Sequence, residues 1–205
     1  NTIGNKNFRN IIFLTIMWDV ARYFSIGFMG TFKTKDLMIS VFAVQIINII
    51  GNFARMAISK PFGIYSDKNS YAKGFNIALI IAAAAFFINM FTTNSTWYFI
   101  IIFTVLYNVC LAGTNQNSYN ITYSYVDLEY ISQAMAIKNS IGGLCGFCAS
   151  VVAGKLLNAV QAHDNIIFGM HIYGQQILSG ISFIIIAAAI VFVKFRIEKQ
   201  EIKIQ

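Results

Sequence analysis

Long apolar runs, separated by short clusters of polar and charged residues, dominate the chain. Six stand out, over residues 9–30, 38–59, 74–91, 97–117, 134–157 and 174–195. Each is close to the ~20 residues that a helix needs to cross a bilayer. Backbone groups in hydrocarbon must bond within their own segment, so each run predicts a helix. The stretches Ile77–Ile88 and Ile181–Val193 carry no charge at all. The pattern predicts an all-α integral membrane fold, a bundle of six transmembrane helices forming one domain over 1–205, with no room for a sizeable soluble part.

Composition agrees. The chain has 205 residues, 57% hydrophobic and 11% charged, with one Pro and 19 Phe. Soluble domains run nearer ~25% charged, so disordered chains and most soluble classes are excluded. The net charge of +7 would point to nucleic acid in a soluble protein. Here the basic residues sit in short segments between apolar runs, which fits membrane loops and no nucleic-acid partner. Lys6, Arg9, Lys60, Lys68, Lys73, Lys194, Arg196, Lys199 and Lys203 fall on one side, Lys33 and Lys35 on the other. That bias places both termini in the cytoplasm. Trp97 and Tyr98 start the fourth helix at the outer interface. Usage rich in Ile, Asn and Lys suggests a bacterial inner membrane. The chain starts at Asn1 without a cleavable leader, so it reads as a piece of a longer protein.

Several features point to no special chemistry. Cys145 and Cys148 have redox-pair spacing but no strand-to-helix frame, and together with Cys110 read as small apolar packing residues. His163, His171 and Asp164 share one outer connection and are too loosely spaced for a metal site. The acceptor pattern at Asn94 and Asn120 is discounted, since the second would face the cytoplasm. No cofactor motif, nucleotide loop, serine elbow or metallopeptidase pair occurs, so an enzyme is not expected.

Polar groups within the spans carry more weight, because a charge near the bilayer centre costs ~2.5–3.5 kcal/mol on insertion scales. Asp19 lies midway along the first helix, and Arg22, at i+3, shares its face. Thr15, Trp18 and Ser25 flank them. They could line a polar cavity as a solute or proton site, or form an ion pair that only fixes packing. Gln45, Asn48, Asn52, Arg55 and Ser59 recur at spacings of three and four, forming one stripe along the second helix. A polar stripe on a spanning helix must face water or another helix. Thr104, Asn108 and Asn115 share a face of the fourth. Gly142, Gly146, Ser150 and Gly154 form a small-residue ridge on the fifth, which permits close helix packing.

The connection Ser59–Lys73 resembles the loop signature of the major facilitator superfamily. Gly63, Asp67, Lys68 and Lys73 match it, while Ser70 and Tyr71 stand where the signature has Gly and Arg. Asp127-Leu128-Glu129, followed by Ala134–Gly143, resembles the family's start of the eleventh helix. The whole chain then resembles the C-terminal half of a twelve-helix transporter. The resemblance implies a secondary transporter that moves a small solute by alternating access, with a missing N-terminal six-helix half as partner. It implies a solute and proton pathway through Asp19, Arg22, Asn48 and Asn108, and a cytoplasmic loop gate at Gly63, Asp67 and Lys68. Asp19 beside Arg22 is compatible with proton coupling, an anion on Arg22 or a cation on Asp19, so a coupling ion stays open. The alternative is a six-helix membrane component of another class: an ABC-type membrane domain, a membrane enzyme or a non-transporting receptor.

Overall fold

The structure, a computed structural model, describes residues 6–163, 165–167 and 170–201. Asp164, Lys203 and the last residues at each end lie outside the described part. Among the described residues the regular structure is helical apart from one two-residue β-ladder, and six helices are long and apolar enough to cross a membrane. That is consistent with a multi-pass membrane protein.

Helix α1 (Lys6–Ile26) continues through a single turn, α2 (Met29–Thr31), into a π-helical turn, Phe32–Asp36. The others are α3 (Val41–Lys68), α4 (Tyr71–Asn89), α5 (Phe99–Tyr125), α6 (Ile131–Gln161), α7 (Gly174–Phe192) and a short α8 (Glu198–Glu201). Between α6 and α7 lies the ladder of β1 (Ile166–Ile167) and β2 (Met170–His171). Local chemistry sets several starts. Ser40 caps α3 by accepting from the Ala43 N–H, and Ser70 caps α4 by accepting from the Lys73 N–H. The Tyr173 N–H before α7 donates to Gln176 Oε1 at 3.0 Å. The helices alternate in direction, so α1 begins and α7 finishes at one end, here the terminal end. The opposite one is the far end.

Several helices run further than the apolar pattern marks, α5 as far as Tyr125 and α6 from Ile131 to Gln161 among them. The first passes Gly30 as far as Asp36, so Lys33 is buried within it and is not an exposed turn residue. The second continues through Pro61 to Lys68. Gly63, Asp67 and Lys68 therefore occupy its last turns, and only Asn69 and Ser70 separate it from α4.

The core lies along α1, α4, α5 and α7, with Phe75, Leu79, Phe86, Ile100, Phe103 and Ile186 almost wholly buried. A polar knot ties three of these helices near the far end. Gln175 Nε2 donates to Ser25 Oγ at 2.6 Å, and Asn89 Nδ2 donates to Ser179 Oγ at 2.7 Å. Such interhelical bonds satisfy polar groups where no water reaches.

The packing obeys an exchange symmetry. α1 packs on α6 as α5 packs on α3, α4 on α5 as α7 on α1, and α4 and α7 pack on each other. Exchanging α1, α3 and α4 for α5, α6 and α7 returns the same set. The sequence repeats in step. Ile11-Ile12, Thr15, Trp18, Asp19 and Val20 of α1 align without gaps on Ile100-Ile101, Thr104, Tyr107, Asn108 and Val109 of α5. Asn48-x-Ile50-Gly51 of α3 aligns on Asn139-x-Ile141-Gly142 of α6, and Ile80-Ile81-Ala82-Ala83-Ala84 of α4 on Ile185-Ile186-Ala187-Ala188-Ala189 of α7. The first trio starts at the terminal end and the second at the far end, so the repeat is inverted, about a pseudo-two-fold axis across the helices.

Candidate functional site: two pockets on one polar seam

Two pockets open along the seam where α1 and α5 face each other. The terminal-end pocket, about 260 Å³, is lined by Thr15, Trp18, Asp19, Arg22 and Tyr23 of α1, Thr114, Asn115, Ser118 and Tyr119 of α5, and Lys138, Asn139 and Gly143 of α6, with Phe75 behind. The far-end pocket, about 470 Å³, is lined by Ile26, Met29, Gly30 and Lys33 of the first helix, Val44, Gln45, Asn48 and Asn52 of α3, and Phe103, Thr104, Tyr107 and Asn108 of α5. The pseudo-two-fold exchanges them. Trp18 corresponds to Tyr107, Asp19 to Asn108, Asn139 to Asn48 and Gly143 to Asn52.

Each pocket has a glycine notch. At the terminal end Asp19 Oδ2 fills the space that a Cβ on Gly142 would take, and Thr15 Cγ2 lies 2.8 Å from that position. At the far end Asn108 Nδ2 and Thr104 Cγ2 lie 2.5 and 3.0 Å from the equivalent position on Gly51. Both notches let a polar side chain of one helix press against the backbone of the next.

The charges differ. Asp19 Oδ1 accepts from Arg22 at 3.0 Å, and the guanidinium carbon lies 4.4 Å from the centre of the Tyr23 ring. Across that pocket Lys138, 2% exposed, donates to Ser118 Oγ at 3.1 Å and Thr122 Oγ1 at 3.3 Å, with the Ser118 carbonyl at 3.4 Å. The far pocket holds Lys33, 5% exposed, which donates to Asn48 Oδ1 and Thr104 Oγ1, both at 3.3 Å. Asn108 turns back on its own helix, its Nδ2 donating to the Thr104 carbonyl at 2.9 Å.

The anticipated residues thus separate into three places. Asp19 and Arg22 meet at the terminal end, and Asn48 and Asn108 line the far pocket with Gln45 and Asn52. Gly63, Asp67 and Lys68 touch neither pocket. Gly63 is buried against α5, where the Gln116 side chain occupies the room a Cβ would need, while Asp67 and Lys68 are exposed. Gly142, Gly146 and Ser150 do serve close packing: Gly146 lies against the Tyr23 ring, and Ser150 Oγ donates to the Tyr23 carbonyl at 2.9 Å. Cys145 and Cys148 are free thiols. His171 packs edge-on against Tyr173. Among the described residues no three of His, Cys, Asp and Glu come together as metal ligands.

Lys33, Lys138 and Asn139 are site residues that the apolar pattern does not single out. A different signal marks them. Asn139 is the repeat partner of Asn48, Lys33 is a buried charge where the first helix outruns its apolar core, and Lys138 is a buried charge near the start of the fifth run. Chemically, the pockets offer ammonium, guanidinium, carboxylate, amide and hydroxyl groups around cavities of about 260 and 470 Å³, which suits binding of a small polar solute. No protein-family model, curated protein or solved structure matches the chain.

Proposed function

We propose that this chain is one six-helix half of a secondary transporter of the major-facilitator type, seated in a bacterial inner membrane with both termini cytoplasmic. It carries a small solute by alternating access against a second six-helix half. The observation that carries the reading is the pair of exchange-related pockets at opposite ends of one polar seam. Nested inverted repeats within each half, with the solute site near the bilayer midplane, are the architecture of such transporters. A single solute path with two equivalent ends is what such a repeat produces.

A second observation supports the missing half. Gln45, Asn52, Tyr119 and Asn139 along the seam are exposed. Exposed polar atoms are not tolerated in hydrocarbon, so water or another protein must cover this face. The exposed Phe42, Ile46, Phe53, Leu144, Phe147 and Val152 of α3 and α6 suit lipid. The Gly63–Lys68 segment, tight against α5 through Gly63, supports a gate role for Asp67 at the cytoplasmic surface.

The test uses the full-length protein in nanodiscs, with native cysteines removed and new ones at positions 45 and 119. A bulky maleimide attached at one end holds that end open and should shut the other. Doubly labelled molecules, counted by mass spectrometry, should therefore be rarer than the product of the two single-site fractions. Independent labelling of the two positions would defeat alternating access and favour a receptor or channel.

A further inference from the structure

We propose, resting on the transport reading, that the solute is a small anion bearing carboxylate or phosphate oxygens, held at the far end by Lys33 and at the terminal end by Lys138 with Arg22. Four ionisable groups of fixed sign line the two pockets: Asp19, Arg22, Lys33 and Lys138. Asp19 is already matched by Arg22 at 3.0 Å. Among the described residues neither lysine forms an ion pair. Lys33 meets one amide and one hydroxyl oxygen, and Lys138 meets two hydroxyls and one carbonyl.

The hydrogen-bond partners of both ammonium groups are neutral; Asp19 attracts Lys138 within the terminal-end pocket but is already held by Arg22, so both lysines keep an unmet need for negative charge. Each pocket therefore carries one surplus positive charge, and its cavity lies next to the lysine. A cationic solute would meet that surplus at both ends of its path, and a neutral one would leave both lysines unmatched. An anion matches each in turn. Arg22 adds the planar donor fork that carboxylate and phosphate accept, and its Nε is buried with no partner. The neutral neighbours Asn48, Asn108, Asn115 and Asn139 supply further amide donors without opposing charge.

Equilibrium binding to the full-length protein in phosphatidylcholine nanodiscs tests this, with radiolabelled orthophosphate, succinate, choline and glucose at fixed ionic strength. Saturable binding of at least one of the two anions is expected, and none of choline. Saturable choline or glucose with neither anion, or no binding of either anion, overturns the proposal without recourse to any variant. Lys33→Gln and Lys138→Gln should each weaken the anion by ~10–100-fold, the loss of one charge-assisted hydrogen bond. Lys33→Arg and Lys138→Arg should keep most of the affinity. Full affinity in both glutamine variants would overturn the assignment. Phosphatidylglycerol added to the discs should leave the anion bound. Displacement by that lipid would give the pockets to headgroups and overturn a soluble solute. Binding and flux are read separately. Anion binding without uptake into vesicles would sink the transport reading and keep the site, while uptake of glucose without anion binding would do the reverse.

Discussion

The terminal-end and far-end pockets share one backbone plan and differ in what stands at equivalent positions. Both have a threonine and an amide or carboxylate one turn apart, packed into a glycine notch on the neighbouring helix. At the far end the pair is Thr104 and Asn108, and Asn108 satisfies itself on the Thr104 carbonyl. At the terminal end it is Thr15 and Asp19, and a carboxylate there needs a cation. Arg22 supplies it, where the far end has Leu111. Shape at these positions belongs to the repeat, whereas charge belongs to the individual pocket.

The largest effect expected comes from splitting that pair. Asp19→Asn alone or Arg22→Leu alone leaves one charge in a largely enclosed place, at a cost of ~3 kcal/mol. The double variant copies the Asn108 and Leu111 arrangement of the far end and should recover most of the stability. Thermal unfolding of the four proteins in detergent reads this. Single variants as stable as the parent would show that Asp19 is well hydrated and that the two pockets do not differ as described.

The glycine notches sharpen the comparison by size. Gly142→Ala drives a methyl into the Asp19 carboxylate, which is fixed by Arg22, and into Thr15. Gly51→Ala meets the Asn108 amide, which is tied only to its own helix. Overpacking costs ~1–3 kcal/mol; the change at 142 should fall at the upper part of that range and the one at 51 at the lower. Equal losses in unfolding temperature would mean that the ion pair does not stiffen the terminal-end notch.

Much of this architecture is legible in the amino-acid pattern, for physical reasons. A bilayer demands unbroken apolar length, so the six helices announce themselves. A charge inside such a run is costly enough to be conspicuous, which is why Asp19 and Arg22 stand out. Lys33 does not, because it lies between two apolar runs, where a cation looks like an ordinary loop residue; Lys138 lies inside the run 134–157, close to its start, and no spacing pattern marks it. Only the continuation of the first helix through its π-turn turns Lys33 inward, and only the packing of α6 shows Lys138 against Ser118 and Thr122 of α5. Gly63, Asp67 and Lys68 read as a loop because Pro61 and a cluster of polar residues precede α4, yet the helix carries on past the proline. The internal repeat is present in the chain but faint. It rests on a few identical or similar residues in each helix pair, and its spacing widens where the β1–β2 hairpin is inserted before α7.

The smallest effect isolates a single hydrogen bond. Thr15 and Thr104 are repeat partners, and each donates its hydroxyl to the carbonyl four residues earlier, Ile11 at 2.9 Å and Ile100 at 2.7 Å. Thr104 alone also accepts from Lys33, at 3.3 Å. Valine conserves the shape of threonine and removes the hydroxyl. Thr15→Val should change stability by no more than about 0.5 kcal/mol, since a bond to the residue's own helix adds little. Thr104→Val should cost about 1.5 kcal/mol, the low end for a hydrogen bond to a charged group, because Lys33 keeps only Asn48. The same pair of substitutions in a Lys33→Met background makes the comparison a double-mutant cycle. With the ammonium gone, Thr104→Val should become as mild as Thr15→Val. A cost at Thr104 that persists without Lys33 would place the difference in packing around α5, and the far pocket would lose its claim to a hydroxyl-supported lysine.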